Sequence, residues 1–173
     1  FHLAIYSFGL MLVVAFYSCY FFLDGDLKDM GYDEKLASDI IFWSAVGGIV
    51  GSKVYHIIEN LDQIMASQRP MSHIFSGSGL VFLGGLIGAI IAVTFVLKKY
   101  DVPWLKFADI IAPLIFLGYA IGRIGCFLVG DDYGIPSDLP WAMAFPDGLP
   151  PTNIPVHPTQ VYETIICGTL FYY

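Results

Sequence analysis

Two short polar runs in an otherwise apolar chain hold residues suited to chemistry. The first is Gly122-Arg123-Ile124-Gly125, followed by Asp131, Asp132 and Gly134. A guanidinium is a planar fork of donors that can hold two phosphate oxygens at once. Gly122 and Gly125 remove steric cover, so that a ligand's oxygens can approach guanidinium and backbone together. The bland alternative is an arginine that only pairs with Asp131 or Asp132. The second run is Val156-His157-Pro158-Thr159-Gln160-Val161-Tyr162-Glu163. Pro158 sits where a helix would begin, with His157 before it and Gln160, Tyr162 and Glu163 one turn inside. A carboxylate entering a membrane interface there needs a partner or a task. The run reads either as a helix cap or as a site facing Arg123 across a groove. Lys53, the other cation in an apolar stretch, either snorkels to the outer interface or joins that site.

The elements that position these runs follow from composition. Hydrophobic residues make up 57% of the chain and charged residues 13%, about half the charged share of a soluble domain. This specifies an integral membrane protein. A net charge of −7 with eight Lys and Arg excludes a nucleic-acid partner, which needs a basic footprint. Cys19, Cys126 and Cys167 have no paired spacing, so neither a disulfide framework nor a metal site is expected.

A span of ~30 Å of hydrocarbon takes about 20 apolar residues. Leu3–Leu23, Ile40–Ile58, Gly79–Leu97 and Leu105–Val129 each supply one, with Pro113 expected to kink the last. A fifth apolar run begins at Val161. The segment Asp24–Asp39, the loop Glu59–Ser78 with Arg69, Pro70 and His73, and the Pro-, Gly- and Asp-rich loop Gly130–Pro158 lie outside the hydrocarbon. The expected fold class is therefore all-α: a polytopic transmembrane helical bundle of about four spans plus the start of a fifth. It forms one transmembrane domain over residues 1–173, read as incomplete at both ends. Gly47, Gly48 and Gly51, with Gly84, Gly85 and Gly88, have the spacing that lets helix backbones approach closely. They either pack two helices together or leave room for a lipid.

At this level of detail the chain resembles the bacterial prolipoprotein diacylglyceryl transferases. The resemblance rests on Phe8–Met11, Gly47–Tyr55, Phe82–Ala89 (FLGGLIGA), Ala108–Gly134, Leu139–Phe145 (LPWAMAF) and His157–Glu163 (HPTQVYE). It implies transfer of the diacylglyceryl group of phosphatidylglycerol to the lipobox cysteine thiol of a prolipoprotein, with release of glycerol phosphate. It also implies a multi-pass protein of the bacterial inner membrane, with membrane lipids and the prolipoprotein signal peptide as partners and no cofactor. Carried onto this sequence, Arg123, Asp131, His157 and Glu163 become the catalytic candidates. Arg123, Lys53, Gly84, Gly85, Gly122, Gly125, Gln160 and Tyr162 become the substrate-binding candidates.

The sequence also departs from the family pattern. Leu83 stands where a histidine is usual, Cys126 where an asparagine is, Asp131 where a glutamate is, Phe8 where a tyrosine is, and Lys53 where arginine is frequent. The alternative reading is therefore a non-catalytic lipid-binding or lipoprotein-handling paralogue. An intramembrane protease using Ser78 with His157 is a third class, disfavoured because Gly/Ser loops are usually turns. Cys126 as an acyl-accepting nucleophile lacks a neighbouring histidine in sequence. A transporter is disfavoured because no polar residues chain through the midplane.

Orientation follows from the lysines. Lys28, Lys35, Lys98, Lys99 and Lys106 flank the first and third connections, whereas Gly130–Pro158 holds neither Lys nor Arg. The positive-inside rule places the N-terminus and the Gly130–Pro158 segment outside the cytoplasm. In a cysteine-free background, Ser137→Cys should react with a membrane-impermeant thiol reagent in whole cells and Lys99→Cys should not. The reverse pattern would invert the topology.

Overall fold

A backbone crossing hydrocarbon can satisfy its N–H and C=O groups within one segment only as a helix. The computed structural model, which describes residues 3–61 and 81–173, follows that constraint. The elements are α1 (Leu3–Asp29), α2 (Leu36–Glu59), α3 (Phe82–Lys99), α4 (Trp104–Val129), β1 (Met143–Phe145), β2 (Thr152–Val156) and α5 (Thr159–Tyr172). Among the described residues four helices, α1 to α4, are long and apolar enough to cross a membrane. The protein is thus a helical integral membrane protein, with α5 as a further helix. The expected loop with Arg69, Pro70 and His73 lies outside the described residues, as does Ser78.

The first two helices outrun the apolar stretches that announced them, whereas α3 begins at Phe82, inside the expected Gly79–Leu97 stretch, because Val81 is extended. α1 continues past Leu23 to Asp29, and α2 starts at Leu36 rather than Ile40. Helical hydrogen bonding does not stop where hydrocarbon stops; a backbone signal stops it. Here that signal is Gly31 at φ +78°. Its N–H donates to Lys28 O at 2.9 Å while Tyr32 N–H donates to Leu27 O at 3.0 Å, a glycine-terminated helix end. The Asp33 side chain then accepts from Lys35 N–H at 2.7 Å and leads into α2.

The chain divides into two compact units, Leu27–Phe107 and the remainder. In the Leu27–Phe107 unit, α2 lies along α3 with backbone against backbone. A Cβ on Gly47 would fall 2.6 Å from both Ala92 Cβ and Gly88 O, and one on Gly51 would meet Gly84 O and lie 2.8 Å from Gly88 Cα. Close packing is observed at Gly47, Gly51, Gly84 and Gly88. Ser52 Oγ ties the pair further by donating to Val81 O at 2.8 Å. At the far end Asp39 Oδ2 accepts from Lys99 Nζ at 2.9 Å and from Tyr100 Oη at 2.8 Å. Donation to that carboxylate holds the Tyr100 phenol above its ordinary pKa. A groove of about 790 Å³ runs along the two helices from Asp39 and Lys99 to Tyr55 and Gly84, with Trp43 and Phe95 among its apolar walls.

In the other unit, α1, α4 and α5 meet at a few small-residue contacts. Cys19 Sγ donates to Leu114 O at 3.4 Å and would lie 3.2 Å from a Cβ on Gly118. Phe22 of α1 meets Phe171 of α5 edge to face, and Thr164 Oγ1 donates to Ala120 O at 3.3 Å. α4 runs without a break through Pro113. It ends at Gly130, φ +74°, where the N–H groups of Gly130 and Asp131 both donate to Cys126 O.

The Gly130–Pro158 segment, expected as loop, contains a two-stranded antiparallel ribbon with Met143 opposite Val156 and Phe145 opposite Thr152. So small a ribbon does not stand alone in water. Phe145 stacks on Tyr133 at 5.4 Å and meets Phe127 of α4 edge to face, while Tyr133 Oη donates to Pro150 O at 2.6 Å. Gly134 N–H donates to His157 O, and His157 N–H donates to Ile135 O. Through these bonds the start and end of the segment are laced together.

The packing makes a paired test. Alanine favours helix over glycine by up to ~1 kcal/mol, and a Cβ on Gly48 finds its nearest neighbour, Gly85 O, at 3.8 Å. Gly48→Ala should leave thermal unfolding in detergent unchanged or raise its midpoint. Gly51→Ala should lower stability by about 1–3 kcal/mol, because α2 and α3 must separate. Equal behaviour of the two variants would refute backbone contact as the bond between these helices.

Candidate functional site

The apolar context makes Arg123 demanding. Its side chain is 10% exposed, and a buried charge without compensation is strongly unfavourable. Arg123 lies in the last two turns of α4, and compensation comes from the two segments that follow. Nη1 pairs with Asp132 Oδ2 at 3.2 Å and Nη2 donates to Asp132 O at 3.3 Å. Nε sits 2.9 Å from Glu163 Oε2 on α5, off the hydrogen-bonding direction, so that contact is an ion pair. Glu163 Oε2 also accepts from Tyr119 Oη. Tyr119 stands one turn before Arg123 on the same face of α4, the spacing at which helical side chains meet.

Asp132 occupies a turn with φ +52°, a conformation that aspartate tolerates. Its carbonyl also accepts from Thr159 Oγ1 at 2.7 Å. Its neighbour Asp131 is held by its backbone: the N–H donates to Cys126 O, and the carbonyl accepts from Gln160 Nε2. Gln160 is fully buried at 0% exposure. Among the described residues, Asp131 Oδ1 and Gln160 Oε1 are buried without a hydrogen-bond donor. Cys126 Sγ and one carboxylate oxygen each from Asp131 and Asp132 lie within 4.8 Å of one another.

A second chain of bonds runs from the ribbon segment to α5. Trp141 Nε1 donates to Tyr162 Oη at 2.7 Å, and the same hydroxyl lies 3.1 Å from His157 Nδ1. An indole N–H can only donate. Tyr162 oxygen therefore accepts from Trp141, and its own proton is available to His157 Nδ1. Donated there, it leaves the ring proton on Nε2.

The structure thus brings Arg123, Asp131, His157, Gln160, Tyr162 and Glu163 into one unit. α5 begins at Thr159 with Pro158 just before it, as the HPTQVYE run predicts. The two flanking glycines divide in role. A Cβ on Gly122 would meet nothing within 4 Å, whereas one on Gly125 would lie 3.1 Å from Phe8 Cδ2 and 3.2 Å from Met11 Cβ. Gly125 therefore admits α1, and the aromatic at position 8 packs directly on the arginine motif. Lys53, Gly84 and Gly85 belong to the other unit. Lys53 is half-buried on α2; a Cβ on Gly84 would lie 2.6 Å from Gly51 O, and one on Gly85 would lie 3.3 Å from Gly48 O. Leu83, in the first turn of α3, is exposed.

Sequence reasoning passed over Tyr119, Trp141 and Thr159. The i, i+4 spacing of Tyr119 and Arg123 carried a signal. Trp141 and Thr159 stood within the LPWAMAF and HPTQVYE runs but drew no role, because their partners depend on how the ribbon segment folds back.

Comparison with known proteins bears on this arrangement. The prolipoprotein diacylglyceryl transferase family profile matches residues 1–173. A phosphatidylglycerol–prolipoprotein diacylglyceryl transferase of Clostridium tetani is 35% identical over 95% of this chain and 66% of its own length. Proteins of the same name from Pseudomonas paraeruginosa and Idiomarina loihiensis are each 34% identical, over 98% and 95% of this chain and 64% and 61% of theirs. The chain spans just under two thirds of the length of these relatives. With the arginine motif and the HPTQVYE run converging on one buried guanidinium, and a profile match from end to end, the chain belongs to the prolipoprotein diacylglyceryl transferase family.

Proposed function

We propose that the protein transfers the diacylglyceryl group of phosphatidylglycerol to the lipobox cysteine thiol of a prolipoprotein, at the outer face of the bacterial inner membrane. The observation that carries this reading is the buried Arg123 guanidinium, set among carboxylates at the end of an apolar helix. In the reaction a carbon–sulfur bond forms at the glyceryl carbon and its bond to the phosphate oxygen breaks. The thiol proton goes to a base, and glycerol phosphate leaves with the electron pair. Arg123 binds the phosphate and stabilises the charge gathering on it, an interaction worth most where water is excluded.

A thiol with pKa about 8.5 is mostly protonated near neutrality and needs that base. Glu163 Oε2 is already shared by Arg123 and Tyr119. Asp131, half-buried beside Asp132 and not engaged by Arg123, is the assigned acceptor. His157, tied to Tyr162, is assigned to hold the substrate edge with Gln160. Lys53, Gly84 and Gly85, which belong to the other unit, are assigned to lipid binding separately from Arg123. The N-terminus and ribbon segment face the extracytoplasmic side, from which the prolipoprotein cysteine arrives.

The non-catalytic reading is supported by Leu83, Cys126 and Phe8, each less polar than the usual family residue. The whole protein should sustain growth of cells depleted of their own transferase if transfer is its function. Failure to do so, with the protein present in the membrane, would favour the lipid-binding paralogue.

Phosphatidylglycerol binding to folded protein in nanodiscs tests the anchor directly. Arg123→Lys keeps the charge but loses the fork. One charge-assisted bond contributes about 1.5–3 kcal/mol, so binding should weaken roughly 10- to 100-fold. Arg123→Ala should weaken it further. Unchanged affinity in both variants would end the phosphate-anchor assignment.

A further inference from the structure

The charges around Arg123 do not favour a phosphate as they stand. Arg123 is the only Lys or Arg among residues 1–26 and 108–173. It is in contact with the carboxylates of Asp132 and Glu163, and Asp131 lies beside Asp132. With all three acids ionised, the group of four carries a net charge of about −2, and a phosphodiester would enter against that field. One carboxylate giving way would open the guanidinium to a phosphate and lessen that field.

The three acids differ in how firmly they are held. Glu163 is on a helix and its Oε2 receives both Arg123 and Tyr119. Asp131 has one carboxylate oxygen fully buried and its backbone bonded on both sides. The Asp132 side chain is 73% exposed, and among the described residues its one ion pair is Oδ2 to Arg123 Nη1. Its backbone is fixed independently, since the carbonyl holds Arg123 Nη2 and Thr159 Oγ1. Rotation about the Asp132 side-chain bonds would release Nη1 without moving the turn or loosening Nη2.

We propose that the Asp132 carboxylate is a built-in substitute for the ligand's phosphate, holding Arg123 Nη1 until a phosphate oxygen of the lipid replaces it. Lipid engagement is then an exchange of one anion for another on a fixed guanidinium. The exchange rests on the assignment of Arg123 as phosphate anchor, and it makes Asp132 a determinant of affinity and selectivity. A strongly held phosphate displaces the carboxylate, while a neutral headgroup does not.

The test uses the whole protein in nanodiscs, with phosphatidylglycerol as probe and affinity counted per folded molecule. Asp132→Asn keeps the size and the backbone carbonyl but removes the competing charge. It should tighten phosphatidylglycerol binding roughly 3- to 10-fold. Asp132→Ser, whose side chain is too short to reach Nη1, should do the same. Soluble glycerol phosphate is measured alongside as a free-phosphate source; tightening towards either phosphate supports the exchange, and the larger effect names the source. Unchanged or weaker binding in both variants, with Arg123→Ala still losing affinity, overturns the substitute role while leaving the anchor standing. If Arg123→Ala also binds normally, the anchor itself is wrong and the exchange falls with it.

Discussion

The constraint on which this structure turns is the neutralisation of one guanidinium. Arg123 is nine-tenths removed from solvent near the end of an apolar helix, and a single carboxylate leaves too many of its five N–H donors unsatisfied. The chain answers by bringing back two segments. The turn after α4 contributes Asp132 by both side chain and carbonyl, and the first turn of α5 contributes Glu163. Much of what lies between them serves that return. The Gly130 helix end, the Phe145–Tyr133 stack and the Gly134–His157 bonds hold the ribbon segment closed, so that α5 starts beside the end of α4.

The other unit uses a different cohesive device. Lipid tails are as apolar as leucine, so two helices gain little by burying apolar side chains against each other in a bilayer. α2 and α3 instead remove their side chains along the contact and let backbones touch at Gly47, Gly51, Gly84 and Gly88. A polar clasp at Asp39, Lys99 and Tyr100 fixes one end of the pair. The same glycines line the groove that runs along both helices. Close packing and open space are thus made by one set of residues viewed from two sides.

The helical class and the four spans were legible because hydrocarbon demands long apolar runs, which composition reveals directly. The pairing of the two polar runs was legible as an alternative, since a carboxylate at Glu163 needed a partner and Arg123 was the one cation near it. Boundaries were less legible: Asp24 and Asp26 looked like the end of a helix, but the end is set by the backbone at Gly31. The ribbon within Gly130–Pro158 was hidden by its own composition. Pro155 lies inside β2, and proline in a strand reads as a loop unless the strand is an edge, as both strands of a two-stranded ribbon are. Gly125 looked like space for a ligand because sequence cannot tell which helix fills a glycine's vacancy; Phe8 and Met11 do.

The length of α3 has a consequence for where the protein can work. Its 18 residues extend about 27 Å at 1.5 Å per residue, slightly less than the ~30 Å of an average hydrocarbon core. α2, with 24 residues, reaches about 36 Å on the same scale. Backbone contact at the glycines prevents one helix from sliding freely along the other, so the shorter partner sets the thickness that the pair accommodates. In a thicker bilayer Lys98 and Lys99 are drawn towards the acyl region and must stretch outward to stay hydrated, against the bond from Lys99 to Asp39. The α2–α3 pair is therefore matched to the thinner hydrocarbon cores, and thickening the bilayer loads its polar clasp before it disturbs the glycine contact.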